Sequence, residues 1–242
     1  MPVYVINLDR DRDRLAQFLE TNAHVPDTVR FPAIDGGTMD RAVLQREGII
    51  SADLTYGAGQ LGCALSHIRL WHTAVTENRS ITVVEDDAIL APDFGPAHDA
   101  FSRKLPGDWG IALWGWNFDQ SLWTEIPEGV AQATLRFDQN ALRENIEVFR
   151  QSPVAHAPIR LRHAFGTLAY SVSPLGAAAL LKLCLPLSPR MIWFEGFGLG
   201  VPNDGIDCLM NAAYPSLRSY ACMPPLAVSK NQKETSTVLR TA

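Results

Sequence analysis

The chain has 242 residues, with 21 Lys and Arg against 26 Asp and Glu, a formal net charge of −5 and 47% hydrophobic residues. This is a globular profile, long enough to bury a core in one large domain or two small ones. Ordinary Gly and Pro usage excludes a collagen-like or low-complexity chain. The acidic balance excludes a fold-wide basic footprint for nucleic acid, leaving room only for a local basic site for a phosphate-bearing small molecule.

Residues 2–8 (PVYVINL) are a short β-rich apolar run, and residues 9–22 are polar with Leu15, Phe18 and Leu19 at helical spacing. Residues 29–34 read as a second strand closed by the turn signal Asp35-Gly36-Gly37; Thr38 then caps a predicted helix that runs to Glu47, with Gly48 ending it. Gly57 and Gly59 open a helix over 60–77, with Leu61, Leu65, Ile68 and Val75 on one face and Asn78 as its stop. Residues 80–84 (SITVV) form a strand that runs directly into Glu85-Asp86-Asp87. Residues 92–105 read as helix, 109–114 (WGIALW) as strand, and 125–150 as a polar stretch holding a strand around 130–137 and then a helix. Residues 165–173 alternate like a strand, and Ser173 caps an Ala/Leu helix that starts at Pro174 and reaches Cys184. Residues 204–214 read as helix and 217–221 as strand, ahead of a polar tail from Lys230. Strands alternating with helices predict a layered α/β fold with a mostly parallel sheet, in a single domain without internal repeat or linker.

Cys63, Cys184, Cys208 and Cys222 are widely spaced among apolar neighbours, which favours buried thiols in a reducing compartment over a zinc site or disulfide scaffold. Residues 1–8 pass straight into the charged run 9–14, so no signal-peptide core is expected. Residues 164–181 carry no formal charge over a length that can span a membrane, but Pro174, Gly176 and the hydroxyls of Thr167, Ser171 and Ser173 interrupt them; strand followed by helix is the better reading. The expected location is cytoplasmic.

Three consecutive carboxylates at the end of an apolar strand repel one another unless solvent or a cation offsets the charge. Strand alternation would place Glu85 and Asp87 on one face and Asp86 on the other. An acidic-x-acidic pair suits Mg²⁺ or Mn²⁺ completed by water and phosphate oxygens, and in open α/β sheets ligands bind at the carboxyl ends of strands. The competing reading is a solvated acidic turn that caps the next element.

The ordered set VYVINLDRDRDR (3–14), FPAIDG (31–36), GQLGCALSHIRLW (59–71), VVEDDAIL (83–90) and FGTLAYSVSPLGAAALL (165–181) resembles glycosyltransferase family 25, which includes lipooligosaccharide and collagen galactosyltransferases. The resemblance is strong over residues 3–90, moderate over 163–210 and absent over 116–162. It implies a GT-A-like fold in which residues 1–115 form the donor nucleotide and metal half, and residues 116–242 the acceptor half and C-terminal tail. It also implies a UDP-sugar donor, most often UDP-galactose, a divalent metal (Mn²⁺ or Mg²⁺) and an inverting transfer to a glycan or glycolipid hydroxyl; the charge balance already argues against a nucleic-acid partner. The acidic motif then falls on Glu85, Asp86 and Asp87, with Glu85 and Asp87 as metal ligands and Asp86 on the donor side. Asn7, Leu8 and Arg14 at the first strand end, with Asp35, Gly62, Ser66 and His67, would line the donor site.

Read from the residues alone, Arg14 either forks onto a phosphate or lies solvated on a polar helix face. Asn7 either hydrogen-bonds a nucleobase or satisfies a neighbouring loop, and Ser66 with His67 is either a donor contact or an internal hydrogen-bonded pair. Sugar transfer needs stabilisation of the leaving diphosphate and a carboxylate to take the acceptor proton. The base candidates are Asp207, which precedes an apolar helical run as in the family, Asp204, which also reads as turn and helix cap, and Glu195 in WFEGFG. Trp114, Trp116 and Trp193 are candidates for stacking on an acceptor sugar, with core packing as the alternative. The tail departs from the family pattern: Lys230 and Lys233 are candidate phosphate contacts, and Ser236 is a further match. A metal-dependent nucleotidyl or phosphoryl transferase is disfavoured by the lack of a P-loop, and a non-catalytic sugar-nucleotide-binding protein is the other rival. A lipid-linked acceptor would be met by peripheral contact at the cytosolic membrane face, although no basic amphipathic helix stands out.

Overall fold

The computed structural model describes residues 2–151 and 154–231; Lys233 and Ser236 lie outside the described residues. In chain order the elements are β1 (Val3–Asn7), α1 (Arg12–Thr21), β2 (Thr28–Pro32), α2 (Arg41–Arg46), α3 (Ala58–Thr76), β3 (Ile81–Glu85), β4 (Ile89–Leu90), α4 (Phe94–Ser102), β5 (Trp109–Gly115), β6 (Leu122–Glu125), β7 (Gln132–Leu135), α5 (Gln139–Glu144), α6 (Ile146–Phe149), β8 (Ala157–His163), β9 (Ala169–Val172), α7 (Pro174–Cys184), β10 (Met191–Phe194), β11 (Leu199–Pro202), α8 (Ile206–Asn211), β12 (Arg218–Met223) and β13 (Ala227–Val228).

Nine strands form one mixed sheet in the order β2-β1-β3-β9-β5-β12-β8-β6-β7. The neighbours β1 and β2, β1 and β3, and β5 and β12 are parallel; β9, β8 and β7 run against the other six. The sheet is therefore mostly parallel in direction, and helices cover both faces. Successive residues of the central strands serve opposite layers. Val83, Ile111, Leu113 and Tyr170 join α3, α7 and α8 in one core, while Val84, Ala112, Trp114 and Ala169 join Phe18, Phe94 and Phe101 of α1 and α4 in the other. Burial on both faces explains why β3 and β5 read as unbroken apolar runs. Trp114 and Trp116 are 0% and 1% exposed, so both are core residues and neither is available to an acceptor.

Several boundaries differ from expectation for local reasons. The helix expected from Thr38 instead starts at Arg41, because the Asp40 carboxylate accepts from the N–H groups of Ala42 and Val43; Thr38 belongs to a 3-10 turn capped by Asp35. The strand over 165–173 is confined to β9. The helix over 204–214 shortens to α8, with Gly205 rather than Asp204 at its cap. Within 116–162 the expected strand and helix correspond to β7 and α5, while β6 and β8 add two sheet strands. The β10–β11 hairpin stands outside the main sheet. All four cysteines are unpaired; three are buried and Cys63 is half-buried. Among the described residues no helix is long and apolar enough to cross a membrane.

Candidate active site

The carboxyl ends of the parallel strands β1, β2 and β3 open onto a cavity of about 500 Å³. Its walls come from four places: the end of β1 with the start of α1 (Asn7, Leu8, Asp11, Arg14), the loop after β2 (Ile34, Asp35, Gly36), α3 (Gly62, Cys63, Ser66, His67) and the end of β3 (Glu85, Asp86). Every residue expected in the donor site borders this one cavity, drawn together from segments up to 79 positions apart. Asp87 does not border it. It faces a neighbouring recess of about 210 Å³ that also touches Arg14, Ser229 and Lys230.

The acidic triplet is not a continuation of the strand. β3 ends at Glu85, and a turn closed by the Ala88 N–H on the Glu85 carbonyl (3.1 Å) carries Asp86 and Asp87. Side-chain alternation therefore stops, and Glu85 shares the cavity with Asp86 rather than with Asp87. Asp86 is held from two sides: Asn7 Nδ2 donates to it at 2.7 Å, and the Arg14 guanidinium engages it through Nε at 2.9 Å and through Nη2. Asn7 is 2% exposed and fully committed, donating also to the Asp11 carbonyl at 3.0 Å and accepting from Arg30. Of its two readings, the loop-fastening one describes its contacts; it ties β1 to the acidic turn.

The α3 residues divide by role. A Cβ on Gly62 would lie 2.4 Å from the Ile34 carbonyl oxygen, and one on Gly36 would lie 2.1 Å from that of Ala58. These glycines let the 33–37 loop lie directly on the helix. Ser66 locks the contact, accepting from the Ile34 N–H at 2.8 Å and donating to the Gly62 carbonyl at 2.7 Å. His67 is 1% exposed. Trp71 donates to the Tyr170 hydroxyl at 2.9 Å, and His67 Nδ1 shares a hydrogen bond with the same hydroxyl at 2.8 Å. Burial pushes the His67 pKa down to about 3, which keeps the ring neutral and unsuited to pairing with phosphate as a cation. Asp35 accepts from Arg10 and from the Gly37 N–H, closing the outer wall.

The three base candidates separate clearly. Asp204 is exposed and accepts from Gln60 Nε2 at 2.8 Å, a contact that ties its loop to the start of α3. Glu195 is exposed on a 3-10 turn of the β10–β11 hairpin and, like Asp204 and Asp207, borders neither cavity. Asp207 is half-buried at the first turn of α8 and accepts from the Gly166 N–H at 2.9 Å. Burial raises its pKa, and its charge reaches Glu85 and Cys63. Glu85 is pushed up to about 8 by burial first, then by Asp87, with Asp86 and Asp207 adding to the same direction, while the Thr167 hydroxyl donates to it and opposes the shift.

Three residues unassigned in the sequence, Gly166, Thr167 and Ser229, are thus central. The 165–168 loop supplies the Gly166 N–H to Asp207 and the Thr167 hydroxyl to Glu85, so a single loop holds both carboxylates. Gly166 sits at φ +90°, and a Cβ there would strike Asn117 Oδ1 at 2.4 Å, which makes glycine obligatory. Its motif was visible; its partners, 41 and 82 residues away, were not. Ser229 follows β13, which pairs with β4, and donates to Asp87 at 3.0 Å. Lys230 borders the Asp87 recess, and its carbonyl accepts from Arg143.

Glu85, Asp86 and Asp87 are consecutive carboxylates with one interleaved arginine, and the charge of Asp207 reaches Glu85. This surplus of hard oxygen donors is of the kind a divalent cation takes. Among the described residues no three His, Cys, Asp or Glu side chains converge closely enough to hold a metal ion by themselves, so part of any coordination shell would come from substrate oxygens and water.

Comparison with known proteins adds the following. No curated protein sequence matches the chain. Among solved structures, mannose-1-phosphate geranyltransferase from Thermus thermophilus aligns at 12% identity and a TM-score of 0.42, over 91% of this chain and 72% of that one. A197 from STIV aligns at 10% identity and 0.35, over 95% and 83%. A Bacillus anthracis protein assigned as a glucose-1-phosphate thymidylyltransferase, in complex with a sucrose, aligns at 10% identity and 0.33; the match covers 74% of this chain and only 55% of the other. The model of glycosyltransferase family 25 (LPS biosynthesis protein) matches residues 1–191. The chain belongs to glycosyltransferase family 25 and is a glycosyltransferase.

Proposed function

We propose that the protein transfers a hexose, galactose in the first instance, from a UDP-sugar to a glycan hydroxyl such as one of lipooligosaccharide, in a GT-A-type site and with inversion at the anomeric carbon. The observation that carries this reading is the convergence of the β1, β2 and β3 ends and α3 on one cavity, closed on one side by a carboxylate turn. A nucleoside diphosphate suits its volume, its mixed apolar and polar walls, and its position at the strand ends.

Glu85 from the cavity side and Asp87 from the adjoining recess, near enough for its charge to raise the Glu85 pKa, would hold Mn²⁺ or Mg²⁺, which when bound supplies charge stabilisation for the leaving diphosphate. Asn7 and Arg14 fix Asp86 and with it the turn that presents these carboxylates. The acceptor oxygen forms its bond to the anomeric carbon as the bond from that carbon to the diphosphate oxygen breaks on the opposite face. Asp207 takes the acceptor proton; its elevated pKa makes it a better base than an exposed carboxylate, and the Gly166 N–H keeps it oriented. Trp193, 62% exposed on β10, remains the aromatic available to an acceptor sugar.

The test is UDP release from a panel of UDP-sugars, with and without Mn²⁺, because slow donor hydrolysis needs no acceptor. Metal-dependent release from one sugar supports the reading, and its loss in Asp87→Ala assigns the carboxylate turn. No release from any sugar, together with no UDP binding, refutes it.

A further inference from the structure

Asp11 occupies the N-cap position of α1, where an aspartate ordinarily accepts from the first free N–H groups of its helix. It does not do so here: its side chain makes no capping hydrogen bond. Its Oδ2 is buried without any hydrogen-bond partner. Its backbone is nonetheless pinned, with the N–H donating to the Leu8 carbonyl at 3.0 Å and the carbonyl accepting from Asn7 Nδ2 at 3.0 Å. The residue borders the 500 Å³ cavity beside Arg10, and Arg10 is paired with Asp35. The chain thus forgoes a helix cap and leaves a carboxylate oxygen unpaired on a residue that borders the 500 Å³ cavity. An orphaned buried acceptor is costly, and a hydrogen-bond donor on a ligand in the adjoining cavity would satisfy it.

An ionised carboxylate only accepts hydrogen bonds, so the missing partner is a donor. Within a nucleoside diphosphate the phosphates only accept. The ribose 2′- and 3′-hydroxyls are a pair of adjacent donors that match the two oxygens of one carboxylate, and the broad χ2 torsion of aspartate lets both oxygens turn to the cavity. We infer that Asp11 is the specificity-determining residue for the ribose of the donor, accepting from its vicinal diol. This inference rests on the nucleotide reading of the cavity and is independent of which base or sugar the donor carries.

The test compares binding of UDP, 2′-deoxy-UDP and 3′-deoxy-UDP by calorimetry, with Mn²⁺, in the wild-type protein, Asp11→Ala and Asp11→Asn. Wild type is expected to prefer UDP over either deoxy form by about ten- to a hundredfold, the range of one charge-assisted hydrogen bond. Asp11→Ala is expected to bind all three within about twofold of one another, at the deoxy level. Because Asp11 caps nothing and its buried oxygen is unpaired, Asp11→Ala should melt no lower than wild type without ligand, whereas a structural role predicts a clear loss. Wild-type binding that ignores the missing hydroxyls, or an Asp11→Ala variant that keeps the preference, overturns the assignment while leaving the nucleotide site intact. Failure of wild type to bind any of the three refutes the nucleotide reading itself and Asp11 with it.

Discussion

Gly62→Ala adds one methyl group where the 33–37 loop lies directly on α3. That methyl would sit 2.4 Å from the Ile34 carbonyl oxygen, 2.7 Å from the Gly36 nitrogen and 3.4 Å from its Cα, all of them backbone atoms that no side-chain rotation can withdraw. The loop must lift by roughly an ångström, which strains or breaks the 2.8 Å hydrogen bond from the Ile34 N–H to Ser66. Overpacking of this kind costs about 1–3 kcal/mol and the hydrogen bond about 1 kcal/mol, against a helix-propensity gain of about 1 kcal/mol for Ala over Gly. The net expectation is about 1–3 kcal/mol of destabilisation, or a fall in Tm of roughly 3–10 °C. Nucleotide affinity should fall as well, since Ile34, Asp35 and Gly36 wall the cavity. Gly95→Ala is the matched control: Gly95 lies in α4 with nothing within 4 Å of an added Cβ, so Tm should hold or rise slightly. Urea and thermal unfolding of both variants, followed by UDP titration, give the answer. A Gly62→Ala protein as stable as wild type, or equal losses in the two variants, would show that the loop–helix contact does not shape the site.

Glu85→Gln keeps an oxygen for the Thr167 hydroxyl but removes the charge. Because the folded-state pKa of Glu85 is raised from 4.5 to about 8, the folded protein binds a proton that the unfolded chain has released, and stability falls as pH rises across that window. In EDTA at pH 8 the variant should therefore be more stable than wild type by up to about 4 kcal/mol, the gap closing near pH 5 and Mn²⁺ stabilising wild type alone; a gap that grows toward acid contradicts the sign. Asp207→Asn should lower turnover by about a hundred- to ten-thousandfold with little change in UDP affinity, and an unaltered rate would move the base elsewhere. His67 and His163 are held neutral by burial, with pKa values of about 3 and about 4, so below their ordinary value of 6.5 the unfolded chain takes up protons that the folded one refuses. Each should cost about 2 kcal/mol of stability by pH 5, and His67→Gln should flatten that limb of the urea-unfolding profile; an unchanged slope would mean that His67 titrates normally.

What the sequence made legible was whatever depends on near neighbours. The apolar runs at β1, β3 and β5, the Ser173 cap with Pro174, and the glycine-opened α3 follow from local pattern, and each lies within a residue or two of expectation. Thr38 and Asp40 are both competent caps two positions apart, and only the reach of the Asp40 carboxylate to Ala42 and Val43 decides between them. β8 escaped because Arg160 and Arg162 make it look polar; their charges meet Glu128 and Glu125 near β6, contacts with no local signature. β10 inverts the usual pattern by exposing Met191 and Trp193. The site followed the same division. The acidic triplet could be found by eye, but not that it turns after Glu85, nor that Gly166, Thr167 and Ser229 hold its carboxylates and Asp207 from across the fold.

On the proposed reading, the strand-end cavity and its carboxylate turn act together as one cation-assisted nucleotide site. Thermal unfolding of wild type and Asp87→Ala with saturating UDP, in Mn²⁺ and in EDTA, tests it most directly. A ligand at a hundred times its Kd adds about 2.7 kcal/mol, so wild type should gain roughly 5–10 °C with UDP and Mn²⁺, much less in EDTA, and Asp87→Ala should show no difference between the two. A wild-type Tm that UDP leaves unmoved in Mn²⁺ would rule out a nucleotide site in this cavity.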